Sequence, residues 1–299
     1  MNKSVMRLLA FPLFIGVFYS CQSKKTGKGP DSVSPAIIKA MDTVSTAMDT
    51  VSTAMDTATV AEEESPLVDS NFKNFPIDFS NDSGHYPASI LTTGQFHEDE
   101  VSREDLKRTW FGIFRNNGGY YLDSATIRTK RVEDPVLDEN GSKTGWEINT
   151  TNADTSILLI AGIDGLSKKA IVPAQLSKNQ LLPGEKVSFT YNGIVYTLFA
   201  TGGMKKTSPK SEAYVINYEL FLKATINGVE RRQLLMSAAA LDDAMAEILF
   251  AGDIDGDTIP DLIINTSYHY NAEVPTLYLS KPAGAQLLKV MGLHVSVGC

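Results

Sequence analysis

The sequence is poor in cysteine, histidine and basic residues, and each shortage excludes a class of protein. Two cysteines and four histidines among 299 residues are too few for a disulfide scaffold, an iron–sulfur protein or a cysteine-rich zinc site. Lys and Arg number 27 against 35 Asp and Glu, and the net charge is −8. A chain of this charge is a poor partner for nucleic acid.

Familiar catalytic signatures are missing as well. The sequence contains no Gly-x-Ser-x-Gly, His-Glu-x-x-His, Walker or Cys-x-x-Cys motif. No stretch of the sequence reaches the ~18 uninterrupted apolar residues of a membrane-spanning helix. The histidines are scattered, which is typical of surface or packed side chains rather than catalytic bases; they are His85, His97, His269 and His294.

The first residues have the layout of a secretory signal. Lys3 and Arg7 precede an apolar run from Leu8 to Phe18, which is too short to span a bilayer as a helix. Ser20 and Cys21 close the segment. This arrangement resembles the lipobox of bacterial lipoproteins, although bulky residues stand two and three places before the cysteine, where the family prefers a small residue and Leu.

The resemblance implies that residues 1–20 are removed and that Cys21 carries the lipid, palmitate included. The protein would then be anchored to a membrane of the bacterial cell envelope rather than span it. Gln22 follows the cysteine, where some bacteria use Asp to retain lipoproteins in the inner membrane. The outer membrane is therefore the favoured location.

Residues 21–70 are predicted to be a disordered, acidic, Ser/Thr-rich tether, because they combine low hydrophobicity with net charge. The unit Met-Asp-Thr-Val-Ser-Thr-Ala begins at Met41, repeats at Met48 and starts again at Met55. This heptad-like repeat favours a spacer over a coiled coil, because Thr, Ser and Val are poor helix formers.

Each repeat also contains Asp-Thr-aliphatic, which is similar to the acceptor motif of general O-glycosylation systems in some Gram-negative bacteria. The resemblance makes Thr43, Thr50 and Thr57 candidate glycosylation sites. A bare, unglycosylated spacer is the alternative interpretation.

Residues 71–299 are predicted to form a β-rich domain, because Asn-Gly pairs between apolar or alternating runs are a strong hairpin signal. Polar and apolar residues alternate from Asn217 to Ile226, which is typical of a half-buried antiparallel strand. The expected fold is mainly β, an antiparallel sandwich or open barrel. One or two short helices are expected, at a capped turn from Ser102 to Leu106 and over Ser237 to Glu247.

One loop carries specific chemistry. Between two apolar segments, residues 253–261 place four carboxylates at loop positions 1, 3, 5 and 9, and the carbonyl of Ile259 falls at position 7. Alternate residues of a tight loop can converge on a calcium ion, which prefers six to eight oxygen ligands. Acids this dense repel one another unless a cation neutralises them. The acids are Asp253, Asp255, Asp257 and Asp261.

This segment resembles the calcium loop of FG-GAP/VCBS-type proteins, whose pattern is Asp-x-Asp-Gly-Asp-Gly-x-x-Asp. The resemblance implies that the four aspartates, with the Ile259 carbonyl, bind calcium. Thr258 stands where the family has Gly, and a β-branched residue resists positive φ. The alternative is a solvated acidic turn without an ion.

Aromatic residues after the loop suggest a binding surface. Tyr268 and Tyr270 could stack on a glycan or a protein partner in the envelope, although core packing explains such residues equally well. The sequence as a whole favours a non-enzymatic lipoprotein with a calcium-stabilised β domain in a binding or structural role. The alternative is a secreted-side hydrolase that uses an Asp/Glu pair.

Overall fold

The computed structural model describes residues 77–79, 84–206, 208–210 and 212–298. All of them belong to one compact unit, Glu63–Cys299. The signal segment, Cys21, the tether and the three candidate threonines (Thr43, Thr50 and Thr57) lie outside the described residues.

Strands dominate the described part of the chain, and the predicted mainly β fold is confirmed. In chain order they are β1 (Ile77–Asp78), β2 (Ser89–Leu91), β3 (Gly94–Phe96), β4 (Trp110–Asn116), β5 (Gly119–Ala125), β6 (Ile127–Val132), β7 (Gly145–Thr150), β8 (Thr155–Ala161), β9 (Lys169–Ile171), β10 (Lys186–Tyr191), β11 (Ile194–Lys206), β12 (Ala213–Ile226), β13 (Val229–Leu241), β14 (Glu247–Gly252), β15 (Asp261–Asn265), β16 (Ala272–Glu273), β17 (Pro275–Leu279), β18 (Lys289–Leu293) and β19 (Ser296–Val297).

The strands pair antiparallel in several sheets. Sheet A has the order β1-β13-β12-β11-β10, and sheet B has the order β2-β8-β4-β5-β9. Sheet C has the order β3-β7-β6, and sheet D has the order β14-β15-β17-β18. The short strands β16 and β19 form a separate pair.

Sheet D lies between sheets A and B. Leu262 and Ile264 of β15 join the core against sheet A. Ile263, between them in sequence, joins the core against sheet B, because successive side chains of a strand point to opposite faces. The other face of sheet B packs on sheet C. The sheets therefore stack face to face in the order A, D, B, C, which extends a sandwich to four layers.

The Asn-Gly pairs lie in turns, as predicted from the sequence. Asn192-Gly193 joins β10 to β11, and Asn227-Gly228 joins β12 to β13. All four of these residues have positive φ, as a two-residue hairpin turn requires. Asn140-Gly141 also has positive φ, but it lies within a longer connection between β6 and β7.

The predicted helix over Ser237 to Glu247 is wrong. Residues 237–241 complete β13, with Ala238 paired to Ile77 of β1 and to Tyr218 of β12. Pairing on both sides outweighs the helix propensity of three alanines, which is a weak preference. Within the described ranges the only helical elements are three 3₁₀ turns, at Glu98–Glu100, Asp105–Lys107 and Lys281–Ala283. The second of these lies in the predicted capped turn.

Candidate metal centre

The acidic loop connects β14 to β15 in sheet D. Gly252 and Asp261 face each other as the last pair of the β14–β15 ladder, so the intervening residues must form a tight excursion. Asp253, Asp255 and Asp261 converge there, with one carboxylate oxygen from each lying within 4.8 Å of the others. The structure therefore brings together three of the four predicted side-chain ligands in a group that could hold a metal ion.

Asp261 is fully buried at the start of β15. Its Oδ2 accepts hydrogen bonds from the Ile254 and Asp255 peptide N–H groups, at 2.6 and 3.1 Å. Burial, followed by the charge of Asp255, raises the pKa of Asp261 to about 8. Near neutral pH this carboxyl group therefore needs either a proton or a nearby cation.

Asp255 has one carboxylate oxygen without a partner. Its Oδ2 accepts a hydrogen bond from the Lys281 peptide N–H at 3.1 Å. Its Oδ1 is buried and makes no hydrogen bond with any described residue. Burial is the main cause of the raised pKa of Asp255, and the charges of Asp257 and Asp253 add to it. An orphaned buried oxygen of this kind is costly unless something binds it.

Asp257 lies beside the group of three rather than within it. Its carboxylate accepts a hydrogen bond from the Ser280 hydroxyl, at 3.0 Å to either oxygen, and its Oδ1 accepts another from the Ile259 peptide N–H at 2.8 Å. The same Ser280 hydroxyl contacts Asp261 Oδ1 at 2.9 Å. One serine thus joins Asp257 to the group, and ligation by Asp257 and by the Ile259 carbonyl stays a prediction.

Thr258 adopts the conformation that its side chain resists. Its φ is +72°, beside +86° at Gly256, so the loop keeps a left-handed residue at the position where the FG-GAP pattern has Gly. The Thr258 peptide N–H donates to Asp253 Oδ2 at 3.1 Å, and the Gly256 N–H donates to Asp253 Oδ1 at 2.6 Å. These bonds hold the turn in place at the cost of strain at Thr258.

Two other layers of the stack reach the loop. Tyr191 of sheet A accepts a hydrogen bond from the Asp253 peptide N–H at 3.0 Å. Asn192, in the following turn, donates to the Thr258 carbonyl at 2.6 Å. Lys169 of sheet B lies with its Nζ 3.4 Å from Asp253 Oδ1. None of these three residues could be predicted from the sequence, because each is far from the loop along the chain.

The aromatic residues after β15 have different surroundings. Tyr268 is 6% exposed and packs in the core between sheets A and D, so it does not contribute to the expected binding surface. Tyr270 is 68% exposed. Its ring lies 4.3 Å from that of His269, whose Nε2 lies 3.0 Å from Asp242 Oδ2. The expected surface is thereby reduced to Tyr270.

Two of the scattered histidines, His97 and His294, line a cavity of about 460 Å³. His97 Nδ1 lies 2.5 Å from Asp134 Oδ2, and this hydrogen bond raises the pKa of His97. His294 Nε2 contacts the Glu100 carbonyl at 2.8 Å. The Glu100 carboxylate accepts hydrogen bonds from the peptide N–H groups of His97 and Val297. These groups hold the surrounding turns together.

Comparisons with known proteins found no match, so the fold and the acidic loop are the basis for proposing a function. No protein-family model matches the sequence, and neither does a curated protein or a solved structure. The described residues contain no helix long and apolar enough to cross a membrane.

Proposed function

We propose that this protein is a lipid-anchored lipoprotein of the bacterial envelope whose β domain is stabilised by calcium in the β14–β15 loop. The observation that carries the calcium proposal is the convergence of Asp253, Asp255 and Asp261, together with a buried Asp255 oxygen that has no partner among the described residues. The role of the domain is binding or structural.

The ligand set fits calcium. Calcium–oxygen distances of about 2.3–2.6 Å place oxygens on opposite sides of the ion about 4.6–5.2 Å apart. The three carboxylate oxygens, all within 4.8 Å of one another, suit such an ion. Carboxylate and backbone oxygens are also the ligands that calcium prefers. The Ile259 carbonyl and Asp257 are proposed to complete the set.

The surroundings of the loop support a structural role for the ion. Tyr191 of sheet A contacts the loop of sheet D, and Ile254 of the loop packs in the core between sheets B and D. A cation held by the three aspartates would therefore fix a point at which three of the four layers meet. Since the ion binds the folded state, it would stabilise that state by about 2.7 kcal/mol when free calcium is 100 times Kd.

The envelope location rests on the N-terminal sequence. The lipobox-like segment ending at Cys21 supports a lipid anchor, and the acidic tether supports display of the domain away from the membrane surface. Gln22 favours the outer membrane. An envelope protein or glycan is the proposed partner class, with the exposed ring of Tyr270 as a candidate contact.

The alternative, a hydrolase with an Asp/Glu pair, has less support. Such an enzyme needs titratable groups that converge in a cleft and are free to act. In the cavity beside His97, the Glu100 carboxylate accepts hydrogen bonds from two peptide N–H groups. Asp105 Oδ1 accepts a hydrogen bond from Arg108 at 2.9 Å. Structural contacts thus occupy two of the three acids that line this cavity, Glu100 and Asp105 but not Asp99.

Thermal melting of the full chain in detergent, with EGTA and then with millimolar calcium, tests the calcium proposal. Calcium at 100 times Kd is expected to raise Tm by ~5–10 °C. Asp255→Asn is expected to remove most of this shift. The same substitution should raise Tm in EGTA by ~2–4 °C, because it removes a half-buried charge that repels its neighbours.

Asp164→Asn is the matched control, since Asp164 is an exposed aspartate in a glycine-containing turn. This variant changes the net charge equally and should keep the full calcium shift. A wild-type chain whose Tm is the same in EGTA and in calcium, and which gives no heat on calcium titration, would sink the proposal.

A further inference from the structure

A cavity of about 560 Å³ lies beside the acidic loop, within the size range of small-molecule sites. It is bordered by β9 with the segment that follows it, by the β10–β11 turn and by the loop itself. Of the described residues that line it, only Lys169 and Asp253 carry charge, and most of the others are apolar. Val172 on its wall is 73% exposed.

Lys169 occupies the boundary between the cavity and the loop. Its Nζ lies 3.4 Å from Asp253 Oδ1, and the two side chains are 26% and 19% exposed. The ammonium also lies close over Gly256, where an added Cβ would come within 3.3 Å of Nζ. Lys169 therefore serves as a counter-ion for the acids, supplied by a neighbouring sheet.

A divalent cation in the loop would change this balance. An ion bound to Asp253 would lie within about 6 Å of the present Nζ position, given a calcium–oxygen distance of about 2.3–2.6 Å. It would neutralise the carboxylate that attracts Lys169 and repel the ammonium directly. The flexible four-carbon stem of lysine allows the ammonium to move away.

We propose that a divalent cation in the acidic loop releases the Lys169 ammonium into the adjoining cavity, where it binds the carboxylate of a small, partly apolar ligand. The proposal rests on the calcium site proposed above and names the ligand class of the same region. With Asp253 bound to the ion, Lys169 is left as the unpaired charge among the described lining residues. The apolar wall around Val172 suits the body of the ligand.

Ligand-observed NMR on the full chain in detergent tests the proposal with benzoate as the probe. Benzamide has nearly the same shape without the charge. Benzoate is expected to bind in calcium and to bind at least tenfold more weakly in EGTA, whereas benzamide should bind weakly in both. Lys169→Met should lose the calcium-dependent binding of benzoate.

Lys168→Met is the matched control. Lys168 is adjacent in sequence but pairs with Asp123 at 2.7 Å, and its side chain is 76% exposed. This variant should bind benzoate as the wild type does. Lys169→Met should also bind calcium severalfold more tightly, because the competing ammonium is gone.

Calcium titration of the same samples separates two failures. Absence of calcium binding in every variant overturns the proposed function. Calcium binding with benzoate affinity that is undetectable, independent of calcium or unchanged in Lys169→Met overturns only the role of Lys169.

Discussion

Thr258 carries a strain that a substitution can measure. A non-glycine residue in the left-handed region costs roughly 1–2 kcal/mol, whereas glycine costs roughly 0.5–1 kcal/mol in lost chain entropy. Thr258→Gly is therefore expected to raise the free energy of unfolding by about 0.5 kcal/mol and to tighten calcium binding. Urea unfolding in EGTA and calcium titration provide the two measurements.

The corresponding change in an ordinary strand should have the opposite sign. Thr129 is exposed in β6, so Thr129→Gly is expected to lower the free energy of unfolding by roughly 0.5–1 kcal/mol. Equal destabilisation by both substitutions would contradict the strain at Thr258.

The contacts of the acidic loop differ in how far they could be predicted from the sequence. The spacing predicted that four aspartate carboxylates converge, and the structure brings together three of them, with Asp257 beside the group. The contacts of Lys169 and Tyr191 could not be predicted in this way, since these residues lie 84 and 62 positions from Asp253. Only the stacking of separate sheets brings them to the loop.

Among the secondary structure elements, hairpins were the most predictable and the layers were the least. The Asn-Gly turns and the alternation along β12 are local signals, and both correspond to the structure. The alanine-rich segment of β13 is not a helix as predicted, because it pairs with β1, a partner that is distant in sequence. The order of the layers depends on which sheet faces pack together, and the pattern of polar and apolar residues does not specify these pairings.

The junction of β18 with β2 links sheet D to sheet B through a close approach of backbones. The Ala88 peptide N–H donates to the Met291 carbonyl at 2.8 Å. A Cβ at Gly292 would overlap the Ala88 carbonyl oxygen and would lie 2.8 Å from Ile90 Cγ1. Only glycine fits this contact without moving one sheet away from the other.

Gly292→Ala is accordingly expected to lower the free energy of unfolding by about 2–3 kcal/mol, through overpacking against backbone. Gly203→Ala in β11 is the control, because its added Cβ would make only ordinary contacts with Ile216. Chemical denaturation of both variants gives the comparison, and a Gly292→Ala variant as stable as Gly203→Ala would show that the sheets can separate at low cost.

At the scale of the whole molecule, the proposed anchor and the β domain have separate physical roles. In this proposal Cys21 would hold the chain to a membrane, whereas the stacked sheets carry the acidic loop. Cys21→Ser is expected to abolish incorporation of labelled palmitate and to move the protein from the membrane fraction to the soluble fraction. Calcium-dependent melting should be unchanged in this variant, and a Cys21→Ser chain that still incorporates palmitate would contradict the assignment.

The position of sheet D between sheets A and B also sets an order of assembly. Its strands, from Glu247 to Leu293, are synthesised after sheets A and B, which cover its two faces. Until that segment arrives, the inward surfaces of both earlier sheets have no partner. A growing chain that stops before Glu247 would therefore expose two apolar sheet faces at once, which makes it a target for chaperones and proteases. Sheet D is the last of the three to be synthesised, and it covers the exposed faces of the other two.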